Sequence, residues 1–182
     1  MSYFPSFRKI PRLSNAYFTA TEKIDGTNGL ILIEDGEVRA GSKNRWLTPF
    51  LDDNFGFAGW VYQNAGTLYD RLGPGFHYGE WFGKGIQRGY GLTERRFALF
   101  NLRRHGEALS VEPDEIGLCL VPVLCEGPVQ REVEARARAL LSFGSFLIPG
   151  FLRPEGYVLH EKVSGATWKR LLENDEIRKG AA

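Results

Sequence analysis

Apolar residues in the first half of the chain fall in short runs rich in β-branched and aromatic side chains, and turn dipeptides separate the runs. Ala16–Lys23, Gly29–Glu34 and Glu37–Ser42 read as strands, divided by Asp25-Gly26 and Asp35-Gly36, both strong hairpin signals. Phe76–Trp81, Phe97–Leu102 and Leu118–Cys125 are further strand candidates. The glycines at 83, 85, 89 and 91 require a loop between the first two of these. The period then changes. Val129–Phe143 places Val133, Ala137, Leu140 and Leu141 along one face, with Glu132/Arg136 and Glu134/Arg138 at i,i+4 on another, which predicts a helix. Gly156–His160 returns to the strand pattern, and Thr167–Glu173 predicts a last strand leading into a charged tail. Strands in series with one or two flanking helices predict an α+β domain of mostly antiparallel sheets.

With 182 residues, no internal repeat and no low-complexity linker, the expectation is a single domain over residues 1–182. Composition narrows little: 43% apolar, 25% charged and a net charge of +1 suit an ordinary globular protein. A nucleic-acid binder of this balance must gather its Lys and Arg on one face. The longest apolar stretches, Ile116–Cys125 and Phe143–Leu152, are too short for a bilayer span of about 20 residues. The N-terminal residues MSYFPSFRKIPRL contain no secretory apolar core, and Cys119 and Cys125 read as buried reduced thiols, so a cytoplasmic location is expected.

Chemistry enters at Thr21-Glu22-Lys23-Ile24-Asp25-Gly26-Thr27-Asn28. A lysine ending a strand before a tight turn is held on a rigid element, and its amine becomes a nucleophile once deprotonated. Further along stand Phe76-His77-Tyr78-Gly79-Glu80-Trp81-Phe82-Gly83 with Lys84-Gly85-Ile86-Gln87, then Phe97-Ala98-Leu99-Phe100-Asn101, Glu155-Gly156-Tyr157-Val158 and Thr167-Trp168-Lys169. His77, His105 and His160 lack metal-ligand spacing, Gly83-x-Gly85 and Gly89-x-Gly91 do not form a P-loop, and Trp46, Trp60 and Trp81 read as core or pocket lining.

In their order these segments resemble motifs I, III, IIIa, IV and V of the covalent nucleotidyltransferases, from about Tyr17 to about Glu176. The form around Glu80 resembles phage RNA ligases of the nick-sealing type. The resemblance implies a nucleotidyltransferase (ATP-grasp-like) fold and an ATP-dependent RNA ligase using Mg²⁺ or Mn²⁺. Lys23 would take AMP from ATP as lysyl-AMP, pass it to an RNA 5′-phosphate at an end or nick, and a 3′-OH would close the bond. It further implies that Glu22 and adjoining backbone seat the adenine, that Asn28 orients phosphate or metal-bound water, that Glu80 holds the ribose and that Phe100 stacks on the base. Glu155 would bind the metal beside the amine, and Lys169 the α-phosphate.

Strand alternation puts Phe97 and Phe100 on opposite faces, which leaves Phe97 to the core. Three positions depart from the pattern: Lys43 stands where motif Ia has Arg, with Arg45 as the nearby fork of donors; Asn101 replaces Asp; and Leu171 replaces a second basic residue, Arg170 pointing the other way. Only residues 170–182 follow Lys169, so an isolated catalytic core without an OB-fold is expected. The resemblance leaves open a minimal DNA ligase, a partner-dependent adenylyltransferase and a non-catalytic nucleotide-binding subunit, with guanylyl transfer the least favoured. It does not fix the oligomeric state.

Overall fold

A computed structural model describes Arg12, residues 15–173 and Asp175. The N-terminal stretch read for a secretory segment lies, Arg12 apart, outside the described residues, as does Glu176 at the end of the motif match. Among the described residues nine strands form two sheets: β1 (Phe18–Lys23), β2 (Thr27–Glu34), β3 (Glu37–Gly41), β4 (Gly75–Gly83), β5 (Arg95–Leu99), β6 (Leu118–Leu120), β7 (Val123–Gly127), β8 (Gly156–Glu161) and β9 (Thr167–Leu171). The helices are α1 (Phe57–Gln63), α2 (Ala65–Leu72), α3 (Leu102–His105) and α4 (Gln130–Leu141). The smaller sheet runs β7-β1-β8-β9, all antiparallel. The larger runs β3-β2-β4-β5-β6 and is antiparallel except at β5–β6.

Each sheet buries one face under helices. Ile31, Ile33, Trp81, Phe97 and Leu99 of the larger sheet pack against Phe57, Val61, Leu68 and Leu72 of α1 and α2. Phe18, Ala20, Tyr157 and Leu159 of the smaller sheet pack against Val133, Ala137 and Leu141 of α4, the stripe that the helical period foretold. A third cluster, including Ile24, Phe82, Ala98, Cys119 and Val121, fills the region where the two inner faces meet. The space between these inner faces holds the candidate site. Both cysteines are buried and free. No described helix is long and apolar enough to cross a membrane.

Two turn signals had different outcomes. Asp35 and Gly36 take φ of 51° and 81° between paired Glu34 and Glu37, the two-residue hairpin their chemistry favours. Asp25-Gly26 makes no hairpin, because β1 and β2 belong to different sheets and the segment crosses from one to the other. Gly26 is needed there for closeness: a Cβ would lie 2.4 Å from the Trp81 carbonyl oxygen. Leu118–Cys125, expected as one strand, is split at Val121-Pro122 into β6 and β7, again one in each sheet. Pro122 lacks the N–H that would continue the ladder, and its carbonyl instead accepts the Glu22 amide at 3.0 Å. The expected strand Phe97–Leu102 stops at Leu99, since Asn101 caps α3 by accepting the Arg104 amide at 3.1 Å.

Candidate active site

Lys23 ends β1 opposite Gly156, the first residue of β8. Glu155 precedes that glycine, is nearly buried, and accepts a hydrogen bond and ion pair from the Lys23 amine. Gly156 has its own reason. A Cβ there would lie 2.0 Å from the Arg170 carbonyl oxygen, so only glycine lets β9 run this close behind Glu155.

The opposite wall comes from the larger sheet. Asn28 of β2 and Glu80 of β4 are register partners on its inner face, with the Asn28 amide 3.4 Å from the Glu80 carboxylate. Burial pushes Glu80 up from 4.5 to about 7; the Lys23 charge opposes that rise, and Glu155 and Asp25 add to it. The nearby Gly26 amide also works against the rise. The chain crossing at Ile24–Gly26 therefore brings one amine and three carboxylates, from two sheets, into mutual electrostatic reach.

Lys169 shares the inner face of the smaller sheet. The register Thr21↔Val158↔Lys169 places it two strands from β1, one alternation step back from the row Lys23↔Gly156↔Leu171. Its side chain is exposed and makes no ion pair among the described residues. Leu171 stands in the lysine row itself. Arg170 points to the other face and pairs with Asp175 at 3.0 Å, as strand alternation required.

Phe100 lies just beyond β5, beside Tyr78, whose carbonyl accepts its amide at 2.9 Å; it is 39% exposed while Phe97 is fully buried. The two rings thus serve opposite faces. Asn101 is occupied as a helix cap. Lys43 is exposed in the loop after β3, which ends opposite Leu30, one step from Asn28. The Arg45 fork is engaged by both oxygens of Asp52, at 2.5 and 2.7 Å.

Glu22 sits apart from this cluster. Alternation turns it away from the Lys23 face, and its carboxylate accepts the amides of Phe146 and Leu147 at 2.8 and 3.0 Å. Its other oxygen is buried without a hydrogen-bond partner among the described residues, and burial raises its pKa above the usual carboxylate range. Glu22 thereby ties the segment after α4 to the strand that carries the lysine.

Reading the sequence missed the groups that hold the Asp25 turn. Arg88 donates to Asp25 at 3.0 Å and to the Arg153 carbonyl at 2.8 Å, while the Tyr90 hydroxyl accepts the Asp25 amide at 2.8 Å. Arg88 therefore joins the segment after Lys23 to the segment before Glu155. The only signal was the glycine-rich loop, in which Gln87 and Tyr90 also take φ of 46° and 53°, uncommon for residues bearing side chains. The histidines form no metal site among the described residues. Despite their separation in sequence, His77 and His105 are a buried pair at 3.2 Å, and His77 donates to the Gly73 carbonyl at 2.9 Å. Trp60 and Trp81 pack 5.1 Å apart against Phe57; Trp46 is largely exposed instead.

A model of the RNA ligase family matches residues 16–171, most of the chain. Among curated proteins none matches. Solved structures of an RNA ligase from Naegleria gruberi share the fold. A lysine-to-methionine variant with AMP and Mn is 16% identical, with a TM-score of 0.63, covering 91% of this chain and 54% of that one. A lysine-to-alanine variant with ATP and Mn gives 16% and 0.63, over 87% and 50%. The same enzyme with PPi gives 18% and 0.58, over 87% and 50%. This chain spans about half the length of the solved ligases it matches.

Proposed function

The chain belongs to the RNA ligase family, and on that premise we propose that it is an ATP-dependent RNA ligase with Lys23 as its nucleophile. The observation that carries this reading is the Lys23–Glu155 pair facing Glu80 across the gap between two sheets. The Lys23 ammonium first gives up one proton to solvent, and the resulting amine attacks the α-phosphorus of ATP: the N–P bond forms, the bond to pyrophosphate breaks, and the nitrogen releases a second proton to leave the phosphoamide. An RNA 5′-phosphate oxygen then takes AMP from the lysine. Finally a 3′-hydroxyl attacks that activated phosphate and AMP leaves. Covalent capture divides one difficult condensation into easier displacements.

The surrounding residues suit the steps. Lys169, on the lysine face with no ion pair among the described residues, is free to meet the α-phosphate and offset charge developing there. Glu80 and Asn28 face the ribose, and Phe100 offers a ring to the adenine. Glu22 acts on the nucleotide through the backbone it anchors at Phe146 and Leu147. Lys43 at the open edge meets phosphate; Arg45, committed to Asp52, supports its loop.

The donor set fits a divalent cation. Mg²⁺ and Mn²⁺ favour hard carboxylate oxygens, and Mg²⁺ commonly uses one or two of them with substrate phosphates completing the shell. Glu155 is the residue that would hold it, with Glu80 nearby. When bound, the cation supplies positive charge that favours the neutral amine and offsets charge on the phosphates. RNA ends or nicks are the proposed polynucleotide partners, and a reducing cytoplasm the setting for two free thiols.

The test is joining of a 5′-phosphorylated RNA with ATP and Mg²⁺, beside joining of the same RNA already adenylylated. The wild type should join both. Lys23→Ala should lose the first and keep the second. ATP-dependent joining by Lys23→Ala, or no joining by the wild type, would overturn the reading.

A further inference from the structure

The inner face of the larger sheet does not end at Glu80. Away from Lys23 the next row holds Leu30, Tyr78 and Phe100, and the row after it Arg39, Leu32 and Phe76. Trp46 lies over Gly41 on the same face, where a Gly41 Cβ would meet its ring at 3.3 Å, and the Arg39 guanidinium sits 4.2 Å from that ring's centroid. Phe76 and Tyr78 stack at 6.3 Å with planes 23° apart. These rings are open to solvent: Phe76 53%, Tyr78 55%, Trp46 43%.

Single exposed aromatics are ordinary on a protein surface. Contiguous rings on one sheet face are not, because a solvated face of an antiparallel sheet normally carries polar residues at such positions. The shelf is also bounded. Glu80 and Asn28 close one end, and the paired Glu34 and Glu37 close the other. Between these ends the strand rows carry one charged group among the described residues, Arg39, and Lys43 follows at the edge.

We propose that this shelf docks the RNA strand whose end is being joined, its bases stacking on Tyr78 and Phe76 and its phosphates passing Arg39 and Lys43. The proposal rests on the ligase reading above and adds to it a site for polynucleotide. Exposed π-faces with a cation alongside are what single-stranded nucleic acid uses, since every base has a face to stack and every linkage a negative charge. A protein partner would want a more uniformly apolar patch. The shelf also continues directly from Phe100, so a strand lying on it reaches the position where the nucleotide reacts.

The test uses a fluorescent single-stranded oligoribonucleotide, with binding followed by anisotropy and covalent labelling by α-labelled ATP as a separate readout. Phe76→Ala/Tyr78→Ala should weaken RNA binding about tenfold or more, the scale of one lost base stack. Labelling without RNA should be unchanged. Phe76→Leu/Tyr78→Leu, which retains apolar area but not rings, should bind RNA as poorly as the alanine pair. Arg39→Gln should lower the salt dependence of binding by about one phosphate contact. RNA affinity within twofold of wild type in the alanine pair would overturn the proposal, as would full retention by the leucine pair or no RNA binding by the wild type. A wild type that binds RNA but takes no label would instead sink the ligase reading.

Discussion

Phe97→Ala and Phe100→Ala, truncations on one strand and its extension, should have opposite consequences. Phe97 is fully buried, its ring 5.0 Å from Phe57 and 5.8 Å from Trp60, and it covers the backbone at Gly29 and Gly79. Emptying that space costs about 3–5 kcal/mol by the usual scale for buried aromatics. For a chain of this size that is roughly 6–20 °C in Tm. Phe100 already stands 39% exposed, so its loss should cost folding no more than about 1 kcal/mol. What it removes is a stacking face, worth about 1–3 kcal/mol per base, or roughly 5- to 150-fold in ATP affinity. Thermal melts give the first quantity, and the ATP dependence of lysyl-AMP formation gives the second. Phe100→Ala should melt near wild type and need far more ATP; Phe97→Ala should melt early. An equal Tm loss in both, or an unchanged ATP titration for Phe100→Ala, would refute the assignment of faces.

Arg88→Ala should slow single-turnover labelling at least about tenfold, the scale of losing charge-assisted hydrogen bonds, with partial recovery in Arg88→Lys. Full-rate labelling by the alanine variant would show that the Asp25 turn holds without it. Glu80 is raised from 4.5 to about 7, so its contribution to stability is present below about 4.5 and lost as pH rises through 7. Glu80→Gln should therefore raise Tm at pH 8, give no gain at pH 4, and impair catalysis at both; a lower Tm at pH 8 would contradict this. Burial lowers His77 from 6.5 to about 4, so its contribution is present above 6.5 and lost as pH falls through 4. Tm should fall over that window, and His77→Gln should flatten the fall; an equally steep profile would place the acid sensitivity elsewhere.

The strands and α4 were legible because their signals are local. Alternation fixed which of Phe97 and Phe100 enters the core and which way Arg170 points. The Asp35-Gly36 hairpin followed from its residues alone. What local pattern could not give was sheet membership. Asp25-Gly26 and Val121-Pro122 look like a turn and a strand interior, yet each is a crossing between sheets, and the first creates the site. The helices α1 and α2 went unread because they are short and lie among glycines and aromatics without a long helical period. At the candidate site, Lys23 lies against Glu155 and Asn28 against Glu80, and Lys169 shares the lysine's face. Glu22 faces away, because a residue adjacent to Lys23 on a strand must. Arg88, Tyr90 and the His77–His105 pair meet their partners only through the tertiary fold, and no spacing announces that.

Capture of AMP by the Lys23 amine should leave an isolable covalent adduct. Incubation with α-labelled ATP and Mg²⁺, followed by denaturing electrophoresis and peptide mass analysis, tests it most directly. Acid-labile label should appear on the peptide containing Lys23, be released by added pyrophosphate and be absent from Lys23→Ala. Label retained in Lys23→Ala, or carried by a different lysine in the wild type, would contradict it.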